Sequence, residues 1–243
     1  MMRSGTLCLA LLLLPTLLAT PAWADQWRKL SNEDGILVET REVADQEMPD
    51  VRGTMTMKGD FYEICALIQD IDHTCDWAQR CTGSRVIKRI NDAEMIFYSR
   101  TTAPWPVQDR DAVLHAVATG LERGDDAVMR FESIQTPLGP PVDGVVRMPV
   151  LKGHYRLQRI DDQTTKLEFT VHADIGGWIP TWLSKSLSKA IPFDTLAGIR
   201  RHLPKVRMRY AEKVEKWQKG RAAILAASAG NAESKPASAP PVP

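Results

Sequence analysis

The fold is decided by the stretch Asp174–His202, DIGGWIPTWLSKSLSKAIPFDTLAGIRRH. After a polar Asp-Ile-Gly-Gly turn, large apolar side chains recur at three- and four-residue spacing, as one face of a helix requires. That face consists of Ile179, Leu183, Leu187, Ala190, Ile191, Phe193, Leu196, Ile199 and Leu203, widened at its start by Trp178 and Trp182. Pro192 fits the first turn of a continuing helix, where its missing N–H is no loss. Such a face must pack against another element, and ordinary core packing on a sheet is the simplest interpretation.

Residues 1–24 have the features of a secretory signal peptide. Arg3 lies in the n-region, an apolar run extends from Leu7 to Leu18, and Ala22-Trp23-Ala24 forms an A-x-A cleavage site. The segment is too short to span a membrane, and no later apolar run reaches the roughly 18 residues expected of a spanning helix. We therefore expect export and a soluble mature chain, from Asp25 onward, in a bacterial periplasm.

The mature chain of roughly 200 residues suits one sizeable domain that can enclose a ligand as well as a core. We assign residues 25–219 to this domain with a C-terminal helix extension, and the Ala-, Ser- and Pro-rich residues 220–243 to a disordered tail. The predicted signal peptide contains one Arg and no acid, so the mature chain has equal numbers of basic and acidic residues. This balance argues against a nucleic-acid partner, and we expect a monomer.

The segments between the ends of the domain alternate like strands, with one helix among them. The predicted strands are Gly35–Val43, Val51–Met57, Arg85–Ile90, Met95–Thr102, Arg110–Gly120, Ala127–Gln135, Val145–Ile160 and Lys166–Ala173. Asp60 can cap a helix that continues to about Ile71. Strands adjacent in sequence imply a mainly antiparallel sheet, and segregated helices imply an α+β fold.

Three cysteines remain in the predicted mature chain: Cys65, Cys75 and Cys81. In an oxidising compartment the close pair Cys75 and Cys81 can form a disulfide, which would contribute roughly 2 kcal/mol in the chain-entropy model. Cys65 lies on an apolar helix face and is interpreted as a buried free thiol. A metal site at Asp72–Asp76 has no second ligand cluster to complete it, so no metal and no cofactor are predicted.

Recognised enzyme motifs are absent. The sequence contains no G-x-S-x-G elbow, P-loop, dinucleotide fingerprint or H-E-x-x-H. The histidines are scattered, and we interpret them as structural or surface residues. Catalytic residues can also converge from distant strands, so an enzyme stays an open alternative with no catalytic residue assigned.

A resemblance to a known family comes from four segments in the right order. The segment Ala103–Val113, APWPVQDRDAV, with Trp105-Pro106 and Asp109-Arg110-Asp111, resembles the entry to a central strand of START-domain lipid-transfer proteins. The other matching features are Asp34-Gly35-Ile36 with Val38 and Arg41, then Asp70 and Trp77, then Gly176-Gly177, Ile179-Pro180 and Trp182-Leu183. The resemblance covers about Trp27–Tyr210. It implies a helix-grip fold, a curved antiparallel sheet wrapped around a long C-terminal helix with an internal apolar cavity.

The resemblance also indicates where a ligand would bind. Residues that alternate on strands or share the inner side of the helix are expected to line the cavity: Tyr98, Ala112, Leu114, Ala116, Trp178, Trp182, Leu183, Ser186 and Leu187. Sterol-binding members have a buried Arg on this strand, opposite an acid on the preceding strand. The corresponding positions here are Ala116 and one close to Phe97 or Tyr98, so the charge pair is missing and a sterol is not implied. We interpret Arg110 and Asp111 as residues that hold the strand's entry.

Beyond Pro204 the helical pattern resumes, and its outer positions are strongly basic. One interpretation is a solvated helix packed on its own domain. The other is transient contact with an anionic membrane surface through Arg207, Arg209, Lys213 and Lys216, an attraction that salt would weaken.

The sequence therefore predicts a periplasmic, non-catalytic protein that binds and transfers a lipid or other hydrophobic small molecule. Two alternatives stay open: an enzyme of the same fold superfamily, such as a cyclase or hydrolase, and a ligand-regulated envelope interaction protein. The identity of the ligand does not follow from the sequence.

Overall fold

The structure is a computed structural model that describes residues 26–44, 46, 48–177 and 180–233. Its strands are β1 (Arg28–Glu33), β2 (Ile36–Arg41), β3 (Asp50–Lys58), β4 (Cys81–Asn91), β5 (Glu94–Thr101), β6 (Asp109–Thr119), β7 (Asp126–Ser133), β8 (Val145–Arg147), β9 (Val150–Asp161) and β10 (Thr164–Asp174). Its helices are α1 (Phe61–Gln69), α2 (Thr181–Val206) and α3 (Ala211–Glu233). Short 3₁₀ turns follow α1 at Ile71–Asp76 and α2 at Arg207–Tyr210.

All ten strands belong to one sheet in the order β1-β2-β3-β10-β9-β7-β6-β5-β4. The neighbours in this order are antiparallel, and the short strand β8 adds a parallel pairing to β6. Helix α2 packs against β2, β3 and β10. The predicted α+β, helix-grip fold is confirmed.

Alternation along the strands separates the two faces of the sheet. In β10, Leu167, Phe169 and Val171 are at most 5% exposed and join the main core. Their neighbours Lys166, Glu168 and Thr170 point to the other face, as the two-residue period of a strand requires. The apolar face of β10 therefore lies on the side of α2, and its opposite face carries polar side chains.

Close approach between α2 and the sheet depends on a glycine of β3. A Cβ at Gly53 would lie 2.8 Å from Leu196 and 3.0 Å from Pro192. Pro192 lies inside the continuous helix α2, so its ring packs against the sheet where Gly53 has no side chain. This contact fixes the height of the helix above the sheet.

Helix α1 begins at the predicted cap. The Asp60 carboxylate accepts hydrogen bonds from the backbone N–H groups of Tyr62, at 2.8 Å, and Glu63, at 3.2 Å. Such a cap stabilises a helix by about 1 kcal/mol. Its apolar residues, with Ile64 and Leu67 fully buried, extend the main core.

Apart from smaller shifts at strand ends, three elements differ from the sequence prediction. Strand β1 pairs with β2, although its sequence RKLSNE has no apolar alternation, because backbone pairing rather than burial forms it. The predicted strand Val145–Ile160 is divided into β8 and β9, because Met148-Pro149 interrupts it. Helix α3 continues to Glu233, where composition predicted a disordered tail from residue 220, since alanine is the strongest helix former.

The predicted signal peptide lies outside the described residues, as do residues 234–243. Within the described part of the chain, none of the helices is long and apolar enough to cross a membrane.

Candidate ligand-binding cavity

A cavity of about 290 Å³ lies between the sheet and the first half of α2. From α2 it is lined by Leu183, Leu187, Ser188, Ala190, Ile191, Asp194 and Thr195. The facing wall includes Phe97, Leu114, Phe131, Leu151, Tyr155, Phe169 and Val171. Other apolar lining residues are Ile68, Ile71, Trp77, Met148 and Ile175. The volume is at the lower end of the range of roughly 300–1,000 Å³ typical of small-molecule pockets. The apolar face of α2 therefore covers an internal space as well as a solid core.

The deep wall of the cavity is aromatic. The rings of Tyr155 and Phe169 stack with centroids 4.7 Å apart, and Phe131 stacks on Phe169 at 6.3 Å. Burial raises the pKa of the Tyr155 hydroxyl, so this group stays neutral and does not add a charge to the wall. The arrangement suits an apolar chain or ring system.

Arg110 lines one end of the cavity, but its guanidinium is already engaged. It donates to the backbone carbonyls of Gln108, of Ile175 at 3.4 Å and of Gly176 at 3.2 Å. Gly176 and Gly177 have positive φ angles of 60° and 65°, which glycine adopts without strain. Arg110 therefore holds the turn that aims α2 over the sheet.

Asp111 points to the opposite face of the sheet. Its carboxylate accepts from Arg147 at 2.7 Å and 3.1 Å, and Arg147 also donates to the carbonyls of Gly139 and Pro140. This pair fastens the loop between β7 and β8 over the outer face. Tyr98 is buried on the same face, with the Arg85 guanidinium 4.6 Å from its ring centroid.

The predicted lining residues divide between several places. Leu114, Leu183 and Leu187 line the cavity, and Ala112 is buried beside it, packed with Leu114 and Met148. Ala116 faces the same side farther along β6 and is half-buried, whereas Tyr98 points to the outer face. On α2, Trp182 is 62% exposed and Ser186 is also exposed. Trp178 lies outside the described residues.

Strand register and the rotation of helix positions explain why some predicted lining residues lie elsewhere. Tyr98 is opposite Val113, while Phe97 is opposite Leu114, so a shift of one residue exchanges the faces of β5. On α2 the inner stripe passes through Leu183, Leu187 and Ile191, and Trp182 and Ser186 each precede a stripe residue by one position. A single position turns a helical side chain by about 100°.

Sequence reasoning missed the aromatic wall. Phe131, Tyr155 and Phe169 lie on three neighbouring strands, and Tyr155 is directly opposite Phe169. Three aromatic residues at inward-facing positions could have indicated this wall, but only with the strand order β10-β9-β7, which the sequence does not give.

Cys75 and Cys81 are joined by a disulfide, with their Cα atoms 4.8 Å apart. The loop that it closes contains Trp77 and Ala78, which line the cavity. Cys65 is a buried free cysteine, and burial raises the pKa of its thiol.

The four basic residues of the C-terminal extension have partners in their own domain. The nearest are Glu63 for Arg207 at 3.2 Å, Asp70 for Arg209 at 3.7 Å, Gln69 for Lys213 at 2.8 Å and Asp92 for Lys216 at 3.1 Å. These contacts fasten the extension to α1 and to the β4–β5 turn. Their role in membrane contact stays a prediction.

Among the described residues, no group of three or more His, Cys, Asp or Glu side chains is placed to hold a metal ion.

Comparisons with known proteins agree with this fold. The family model described as START domain matches residues 21–209. The chain belongs to the START domain family. An uncharacterized protein of Pseudomonas aeruginosa is 32% identical over 179 residues, which cover 74% of this chain and 87% of that protein.

Two solved START structures resemble the chain. A STAR-related lipid transfer protein from Xanthomonas axonopodis is 29% identical, with a TM-score of 0.67, over 74% of this chain and 99% of that one. Human StAR-related lipid transfer protein 5 is 19% identical, also with a TM-score of 0.67, over 77% and 89% of the two chains. The human structure supports the fold alone. START membership and a bacterial lipid-transfer relative support binding of a hydrophobic ligand.

Proposed function

We propose that this START domain binds a lipid or other hydrophobic small molecule in its cavity and carries it, without catalysis, across a bacterial periplasm. The observation that supports this most directly is the apolar cavity between α2 and the aromatic wall of Phe131, Tyr155 and Phe169. Moving an acyl chain of ~14 methylenes into water costs about 11 kcal/mol at ~0.8 kcal/mol per methylene. A mainly apolar cavity offsets this cost for the methylenes that it holds, so a carrier needs no chemical step.

Two features support the proposed location. The first residues have the pattern of a cleavable signal peptide. The disulfide between Cys75 and Cys81 is of the kind that persists in oxidising compartments. Fractionation of cells that express the full chain, followed by N-terminal sequencing, tests export and the cleavage site before Asp25.

Cavity binding is tested by filling the space. Ala190 lines the cavity, whereas Ser186, one helical turn earlier on α2, is exposed. We expect Ala190→Trp to abolish binding of the neutral apolar dye Nile red, and Ser186→Trp to leave it unchanged. Equal binding by all three proteins would contradict the assignment of the cavity.

Transfer is tested with the same variants. The protein should accelerate movement of a fluorescent lipid between donor and acceptor vesicles, and Ala190→Trp should remove the acceleration. Native mass spectrometry of protein purified from its own periplasm then identifies the natural ligand. A folded Ala190→Trp variant with full transfer activity would refute the carrier function.

A further inference from the structure

One corner of the cavity is polar. Asp194 of α2 is the only acidic residue among the described lining residues. Around it the cavity is bounded by Thr74, Trp77, Gln79 and Arg80 of the segment that follows α1. The carboxylate therefore lies in the wall of a mainly apolar space, where it meets whatever part of a ligand reaches that corner.

The position of this corner is fixed by backbone packing. A Cβ at Gly198, one helical turn after Asp194, would lie 2.2 Å from the carbonyl oxygen of Trp77. The segment thus packs directly on the helix backbone, and the disulfide between Cys75 and Cys81 closes the same segment. With its amide nitrogen turned toward Asp194, Gln79 donates to both carboxylate oxygens, at 3.0 Å to Oδ1.

Hydrogen-bonding capacity is left over in the same corner. Trp77 is 7% exposed, yet its indole N–H has no partner, and the buried hydroxyl of Thr74 has none either. Buried polar groups normally have partners. An indole donor without a partner and a carboxylate in the same cavity wall are suited to a group that both donates and accepts a hydrogen bond.

Burial and nearby cations act in opposite directions on Asp194. Burial raises the pKa of Asp194, while the charges of Arg80 and Arg201 oppose this shift. Arg110, the other cation that lines the cavity, is engaged with three backbone carbonyls. Among the described lining residues, the other cation available to a second anion is therefore Arg80, whose charge already acts on Asp194 and lowers its pKa.

We propose that Asp194 selects the head group of the ligand, so that the cavity takes apolar molecules whose head donates a hydrogen bond and carries no negative charge, an alcohol or an amine. The head group donates to the Asp194 carboxylate, and a hydroxyl can also accept from the indole N–H of Trp77. A carboxylate or phosphate head is rejected because it would place two anions together in a partly buried site. This inference rests on the proposed cavity-binding function.

The test uses three probes with the same chain: decanol, decylamine and decanoic acid, each displacing Nile red from the full mature protein at pH 7. We expect decanol and decylamine to displace the dye at concentrations roughly ten-fold or more below that of decanoic acid, the scale of one hydrogen bond to a charged group. Asp194→Asn should reduce this preference to under about three-fold, mainly by improving decanoic acid. Asp194→Glu should retain the preference.

Asp162→Asn is the matched control, because the Asp162 side chain is 92% exposed. It should behave like the parent protein, and circular dichroism checks that each variant is folded. Equal affinity of the parent protein for all three probes, or an unchanged preference in Asp194→Asn, would overturn the inference while leaving cavity binding intact. Failure of the parent protein to bind Nile red and all three probes would instead overturn the proposed function.

Discussion

The backbone carbonyl oxygen of Trp77 lies against Gly198 of α2. The Cβ of any larger residue at position 198 would be only 2.2 Å from this oxygen. Alanine has the better intrinsic helix propensity, by roughly 1 kcal/mol. A backbone carbonyl cannot rotate away like the end of a flexible side chain, so the helix and the disulfide-closed segment would have to separate. We expect Gly198→Ala to lower the free energy of unfolding by roughly 1–3 kcal/mol, as overpacking does.

The matched control is Gly220→Ala in α3, where an added Cβ meets nothing within 4 Å. There the helix propensity acts alone, and the variant should gain up to about 1 kcal/mol. Urea unfolding measures both variants as shifts of the midpoint at constant slope. Opposite signs are expected, and a stabilised Gly198→Ala would show that the contact is not tight.

The pair of Arg147 and Asp111 fastens the β7–β8 loop to the outer face of the sheet. The Asp111 side chain is 1% exposed and that of Arg147 is 17% exposed. Breaking a buried ion pair from one side leaves an uncompensated charge, so we expect Asp111→Asn to cost roughly 3–5 kcal/mol of stability.

Asp126 and Arg156 form a pair of similar geometry with side chains 40% and 47% exposed. Asp126→Asn should therefore cost less than about 1 kcal/mol, because solvent screens an exposed pair. Thermal or urea unfolding of the two variants compares them directly. Equal losses would mean that burial is not what makes the Asp111 pair strong.

The fold could be predicted because its signals are local. The stripe from Leu183 to Leu203 predicted α2, and the motif around Trp105 and Asp109-Arg110-Asp111 indicated the family that the START match confirms. Asp60 predicted the start of α1. Each of these features depends only on residues close together in the chain.

The cavity wall could be predicted only in part, because it depends on strand register and helix phase. Leu114 was placed on the correct face of β6, while Tyr98 on the paired strand was placed on the wrong one. The polar corner at Asp194 was missed entirely. Its partners belong to a segment more than 100 residues earlier in the sequence, and no local pattern connects the two.

Thiol accessibility tests the disulfide. Protein purified from the periplasm should show one free thiol after denaturation without reductant, at Cys65, and none before denaturation. Cys65 is fully buried, and burial raises the pKa of its thiol, so the reactive thiolate is scarce in the folded protein. Three free thiols in the denatured chain would contradict the bridge between Cys75 and Cys81.

Loss of the bridge has a separate cost. Replacing Cys75 and Cys81 by serine should lower the free energy of unfolding by roughly 2 kcal/mol in the chain-entropy model. The same double variant should bind Nile red more weakly, since the closed loop carries Trp77 and Ala78 into the cavity wall. Unchanged stability and binding would show that the loop holds its shape without the bridge.

Membrane contact has two candidate surfaces. The basic extension begins at Arg207, about 18 Å along the helix from the cavity-lining Thr195 at 1.5 Å per residue. Trp105 is 91% exposed and Trp182 is 62% exposed, and each is next in sequence to a lining residue, Pro104 or Leu183. Tryptophan favours the membrane–water interface.

We therefore expect the two surfaces to have different roles, the basic extension in vesicle binding and the two tryptophans in lipid transfer. Changing Arg207, Arg209, Lys213 and Lys216 to Gln should weaken co-sedimentation with anionic vesicles at low salt, where electrostatic attraction is strongest. At physiological ionic strength the attraction is screened beyond about 8–10 Å, so the difference should shrink. Changing Trp105 and Trp182 to Ala should slow lipid transfer between vesicles, at low and at high salt alike, since burial of an aromatic ring does not depend on screening. Nile red binding should be retained in both variants, because neither set lines the cavity. Full transfer by the Trp variant would show that loading does not take place beside these two tryptophans, and salt-independent binding by the parent protein would rule out the basic extension as a docking surface.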